Sequence, residues 1–335
     1  MKIPALKQWE QWWTREAPPH ILALFRIVFG SFLLLYWGLK LPHVTMLFSE
    51  EGIVLPLFDA GFLGLFFAPP NSEVAWVLYS VHMGALLLLT VGLLSRVGAA
   101  IAFILSAYYW FLSLHLFGTS FDRLFLFTLL VLACSGSDRT FSVSMWWKHG
   151  SFFAWEAASI LPQRLLAAQI TATYLGVGWQ KLWLPDWQSG EVLAYGFIGR
   201  WATPPAYALA RMNFPLEVYD WAVTAIKGFE MLLPFGLWSE RFRWWFFLGG
   251  ALFHIGIAVL LAIWWFLVLI PAYILFYEPE EVLKVMSIAI PAQYGNIRDH
   301  GGTARHPFSD REDRSADPGP SGAACVPLAE PRRGG

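Results

Sequence analysis

Residues 244–277 read WWFFLGGALFHIGIAVLLAIWWFLVLIPAYILFY, thirty-four positions without one Asp, Glu, Lys or Arg. A continuous helix of that length would be about 50 Å long, at about 1.5 Å per residue, whereas the hydrocarbon core of a bilayer is about 30 Å thick. The stretch therefore reads as two crossings with a break near Ala262. The same length criterion finds further apolar runs at 21–38, 74–94, 97–117, 165–182 and 221–238, with a shorter one at 124–134. The sequence predicts an all-α fold: a polytopic transmembrane helical bundle of about eight spans.

Composition agrees with that reading. Of 335 residues, 57% are hydrophobic and only 14% charged, with 19 Trp, 28 Phe and a mean hydropathy of +0.50. A water-facing surface must be largely polar, so the composition argues against a soluble enzyme. A net charge of −1 leaves no basic face for nucleic acid. Cys134 and Cys325 are too few and too far apart for a disulfide framework or a CxxC site, and no metal centre is expected. GxGxxG, Walker, HExxH and GxSxG motifs are absent in usable context, which removes phosphate binding, zinc hydrolysis and serine chemistry.

Short cytoplasmic loops carry the excess of Lys and Arg. With the N-terminus inside, Lys2, Lys7, Arg15, Arg96, Arg139, Lys148, Arg164, Arg241, Arg243 and Lys284 fall in the cytoplasm, and Lys40, Arg123, Arg200 and Arg211 outside. Ten against four predicts both termini cytoplasmic in a multi-pass protein of the cell membrane, with membrane lipid as its first partner. Residues 1–18 place Trp9, Trp12 and Trp13 among charged residues. They read as an amphipathic segment at the interface or as an ordinary flank, ended by Pro18 and Pro19. The membrane domain takes 19–290. No small-residue cleavage site follows its first apolar run, which reads as an uncleaved span. Eleven of the forty residues from Asn296 onward are Gly or Pro, so 291–335 read as a disordered polar tail.

A charge near the bilayer centre costs about 2.5 to 3.5 kcal/mol even on the lenient insertion scale, so each ionisable residue within a span needs a reason. Arg26, His82, Lys181, Lys227, Glu230 and His254 all qualify. Asp220, Thr224, Lys227 and Glu230 share one helical stripe, where Lys227 and Glu230 are spaced to neutralise each other. Tyr174, Gly178 and Lys181 share another, and glycine there admits a close neighbour, whether a helix or a flat ligand. An ammonium partly removed from water is weakened against the neutral amine, so Lys181 reads either as a base or as a residue snorkelling towards Asp186. His254 is a hydrogen-bond donor or a proton carrier. Arg26 reads as an ordering residue for the bundle, bound to a carboxylate or to helix-end carbonyls. Asp122 reads as a cap or a ligand.

The segments LALFRIVFGSFLLLYW, SGSDRTFSVS, AAQITATYLGVGWQKLWLPDWQSG and FHIGIAV occur here in the order seen in the HTTM (horizontally transferred transmembrane) family, and residues 17–280 resemble it. That family includes vitamin K-dependent gamma-carboxylase, whose lysine at the end of the glycine-bearing helix deprotonates reduced vitamin K. The resemblance implies that Lys181 is that base, that His254 stands for the histidine of the carboxylase's FH segment, and that Glu230 is the intramembrane acid of bacterial members. By the same resemblance Tyr174, Gly178 and Trp179 would flank a cofactor, reduced vitamin K or another quinol. Two departures stand out. DRTFSVS places Arg139 and Thr140 where the carboxylase has a histidine. The chain also ends soon after the last span, with no counterpart of the lumenal domain that holds a protein substrate, so carboxylation of a protein glutamate is not expected.

Two functions follow. One is a carboxylase- or epoxidase-like membrane enzyme using Lys181 as base on a lipophilic quinol, with His254 assisting. The other is a non-catalytic membrane component that binds lipid or a partner protein, its polar groups serving helix packing. A transporter would want two related halves, and none is visible.

Overall fold

The computed structural model describes residues 4–54, 68–117 and 120–289, so the polar tail lies outside the described residues. The helices run in the order α1 (Pro4–Thr14), α2 (His20–Gly38), α3 (Val44–Phe48), α4 (Ser72–Val91), α5 (Ser95–Phe117), α6 (Ser120–Ala133), α7 (Val143–His149), α8 (Leu161–Lys181), α9 (Glu191–Gly196), α10 (Pro204–Arg211), α11 (Leu216–Trp238), α12 (Arg243–Leu261), α13 (Leu269–Ala272) and α14 (Pro279–Ala289). Local chemistry fixes several ends. The Asn71 side chain accepts a hydrogen bond from the Val74 N–H at the start of α4, and left-handed Gly92 closes it, freeing the chain to turn back into α5. α12 ends at Ala262, left-handed at φ 53°, which is where the sequence breaks its longest uncharged run. The continuation from Trp264 to Phe276 alternates 3-10, α and 3-10 turns around α13.

Among the described residues the fold is all-helical apart from one two-residue strand pair, β1 (Glu16–Ala17) with β2 (Ala158–Ser159). Four segments among the described residues are long and apolar enough to cross a membrane: His20–Phe48, Ser72–Val91, Ser95–Ser113 and Arg243–Leu261. α8 and α11 have the length but carry ionisable side chains, while α6 and Trp264–Phe276 are short.

One core joins most of these helices. α2 lies within it and buries Ile21, Leu22, Phe25, Phe29 and Leu33 against α4, α6, α8 and the 268–276 stretch. The outer faces are equally apolar: Val77, Ile104 and Leu252 are each more than 60% exposed. Water would penalise such a surface and hydrocarbon does not, so the outside of this bundle is built for lipid.

Pairing of β1 with β2 brings the beginnings of α2 and α8 together, which defines a proximal end; α8 finishes at the distal end. The proximal end is clamped by ions. Arg15 contacts Glu278 at 3.0 Å and Glu280 at 2.5 Å, buried Arg164 contacts Glu278 at 2.5 Å, and Arg243 contacts Glu281 at 3.0 Å. Burial raises the Glu280 pKa, but the hydrogen bond and charge of Arg15 outweigh it and leave the carboxyl below its ordinary range. The Arg164 guanidinium lies 4.2 Å from the Trp12 ring, which also packs on Trp238. The amphipathic α1 is thus docked through Trp12, while Trp9 remains 60% exposed.

Candidate functional site

The distal half holds a cavity of about 530 Å³ between α6, α8, α11, α12 and the 263–269 stretch. Its wall is mostly apolar, with Leu124, Ile170, Val177, Ile226, Ile257 and Phe266 among the lining side chains. Two polar stations interrupt it, and α8 contributes to both.

The first is at Lys181, in the last turn of α8. Its ammonium donates to both oxygens of Glu230, at 2.7 and 2.6 Å, and stands 4.1 Å from the ring of Trp187. The side chains are only 13% and 7% exposed. α8 and α11 come this close because Gly178 faces Met231: a Cβ on Gly178 would sit 2.8 Å from the Met231 sulfur. The segment beyond α8 is held by Gln188, whose Nε2 donates to the carbonyls of Lys181, Leu182 and Leu184.

The stripe on α11 works differently from its expected role. Lys227 and Glu230 make no ion pair with each other. Lys227 donates instead to the Trp187 carbonyl at 3.0 Å, Glu230 takes Lys181, and Asp220 accepts from the Gly190 N–H at 2.5 Å. The three charged members face residues 181–190 and find better-placed partners there than along their own helix, while Thr224 donates to the Asp220 carbonyl one turn back. Nor does Lys181 reach for Asp186; the Glu230 carboxylate, offered bidentate in a dry wall, is the stronger acceptor.

The second station is His254, 1% exposed on α12. Its Nε2 is 2.5 Å from the Tyr174 hydroxyl, which is 2.6 Å from the Tyr273 hydroxyl. Phe266 stacks on the imidazole with centroids 5.7 Å apart. Gly250, one turn before His254, leaves the room that Tyr273 fills: a Cβ there would lie 2.8 Å from the tyrosine oxygen. Among the described residues Nδ1 of His254 has no hydrogen-bond partner, and His254 lines the cavity.

The other sequence candidates divide. Tyr174 lines the cavity with Lys181, Glu230 and His254. Gly178 supports helix packing from behind, and Trp179 points away, 57% exposed beside Trp183. Arg26 is fully buried and donates to the Phe141 carbonyl at 2.6 Å, bracing the DRTFSVS segment. Asp122 lines a separate small chamber with Lys40, and buried His82 packs on Trp37 and Tyr109. Sequence reasoning missed Tyr273 and Trp187. Trp187 stands in the quoted QKLWLPDW segment, but nothing in the sequence marked which of its rings covers the lysine.

Comparison with known families decides the affiliation. The HTTM domain matches residues 14–280, most of the chain and every element of the cavity. The protein belongs to the HTTM family. It is thus a helical membrane protein, and the lipid-compatible outer surface agrees. No curated protein and no solved structure matches the chain. In this HTTM protein the lysine at the end of α8, the acid of α11 and the histidine of α12 meet in one cavity.

Proposed function

We propose that this HTTM protein binds a lipophilic quinol in the distal cavity and takes a proton from its ring hydroxyl. What carries the reading is the joining of two polar stations by an apolar wall: the wall suits a hydrocarbon ring system and the stations suit its oxygens. An ammonium held by a carboxylate is not a base. Proton transfer from Lys181 to Glu230 leaves a neutral amine, which then accepts the quinol proton; the products are a quinolate, a lysine ammonium and a glutamic acid. The Trp187 ring covers the ammonium and helps exclude water.

The finer topology belongs to the same proposal. α6, α8, α11 and the Trp264–Phe276 piece cross with the four apolar segments, giving eight spans, with both termini cytoplasmic in the cell membrane. Cysteines introduced singly at loop positions and labelled from each side test that assignment.

Lipid extraction of the purified protein followed by mass spectrometry tests the ligand. A co-purified quinone supports the reading, and phospholipid alone favours a non-catalytic lipid- or partner-binding role, for which the mutual neutralisation of Lys181 and Glu230 speaks. Assay of quinol oxidation and CO2 incorporation with Lys181→Ala tests the base: unchanged turnover in a folded variant removes Lys181 from that role.

A further inference from the structure

The hydroxyl and imidazole protons of the second station can be placed by elimination. Tyr273 is fully buried, and among the described residues its hydroxyl has one partner, the Tyr174 hydroxyl. Tyr174 has two, Tyr273 and His254 Nε2. Each hydroxyl has one proton to give, and a buried donor without an acceptor is costly. Were His254 to carry its proton on Nε2 and donate to Tyr174, Tyr174 would donate to Tyr273, and the Tyr273 proton would have no acceptor among the described residues. In the opposite direction Tyr273 donates to Tyr174, Tyr174 donates to Nε2, and both hydroxyl protons are used. The neutral imidazole then carries its proton on Nδ1, the buried atom without a partner on a residue that lines the cavity.

We propose that the Tyr174 hydroxyl, held in place by Tyr273, fixes the tautomer of His254 so that its Nδ1–H is a donor to the cavity's guest, selecting ring systems that carry a second, hydrogen-bond-accepting oxygen remote from the hydroxyl at Lys181. The inference rests on the quinol reading and adds the requirement for the second oxygen. Tyr174 and Lys181 are seven residues apart on α8, two turns or about 10 Å along one face, so the two stations address different ends of a guest. Tyr273 does not line the cavity; it is a positioning residue that acts through Tyr174.

Three probes separate the possibilities, with affinities measured under anaerobic conditions: 1,4-naphthoquinol, 4-methoxy-1-naphthol and 1-naphthol. A donor at Nδ1 binds the first two alike and 1-naphthol about tenfold or more weakly, since only 1-naphthol leaves the buried N–H without an acceptor. In Tyr273→Phe the Tyr174 proton still has Nε2 as its one acceptor among the described residues, so the same tautomer is kept. The order of the three probes is therefore expected to persist in that variant, with Tyr273 contributing only the placement of the Tyr174 hydroxyl. Equal binding of all three probes by the native protein, or a methoxy compound as weak as 1-naphthol, overturns the donor assignment and leaves the quinol reading standing. Failure of all three to bind overturns both. The comparison on the native protein decides the matter even where Tyr273→Phe does not fold.

Discussion

The two ends of this bundle spend their charges differently. At the proximal end three arginines and three glutamates interlock, Glu278 serving two arginines and Arg15 two glutamates, with Trp12 and Trp238 packed around Arg164. At the distal end one lysine meets one glutamate on the wall of an open cavity. A shared network in a packed corner holds elements together, whereas a solitary pair beside empty volume keeps proton-carrying groups within reach of a guest. The contrast teaches that partner number and adjoining space, more than burial, separate a bracing ion pair from a candidate reactive one.

The strongest way to break this contrast is Glu230→Leu. It leaves the Lys181 ammonium unpaired in a nearly dry wall and is expected to cost about 3 kcal/mol of stability. Lys181→Met with Glu230→Leu should unfold close to the native protein while losing quinol turnover, a combination that thermal unfolding and activity assays read separately. Should the double variant stay as unstable as the single one, the distal pair is a brace like the proximal ones. Glu278→Gln comes next: it weakens the charge-assisted contacts of Arg164 and Arg15 and should cost about 2 kcal/mol, with quinol affinity unchanged. Ile257→Phe fills part of the cavity and should change stability by less than about 1 kcal/mol while lowering ligand affinity at least tenfold by titration.

The smallest effect is the pH response of the proximal clamp. Because Glu280 has a folded pKa below the ordinary 4.5, its contribution is fully present above that value and is lost as pH falls through the folded pKa. Arg15 and Glu280 are 34% and 46% exposed, so solvent screening holds the effect below about 1 kcal/mol. Glu280→Gln should lower the neutral plateau by that amount and flatten the acid limb of a stability-versus-pH curve, the two proteins converging at low pH.

Much of the architecture was legible because the bilayer imposes a length. A thirty-four-residue uncharged run must break, and the chain breaks at Ala262. The ionisable residues of the site were also visible, since each is conspicuous in apolar sequence. Their partners were not. Helical spacing relates Lys227 only to its own helix, and so suggested Glu230, yet Trp187 supplies the acceptor across forty positions. Glu278 and Arg15, 263 positions apart, leave no local pattern at all. Tyr273 lay hidden for the same reason: a tyrosine in PAYILF becomes informative only when Gly250 on α12 makes room for it.

The alternating turns of Trp264–Phe276 carry a mechanical corollary. Nine of its thirteen residues are in 3-10 conformation, which rises about 2.0 Å per residue against about 1.5 Å in an α-helix, so the piece reaches about 24 Å where a regular helix would reach about 20. It gains length by winding more tightly and still falls short of an average hydrocarbon layer. If the piece crosses as proposed, lipids beside it must draw their headgroups inward, making it a thin spot in the surrounding sheet.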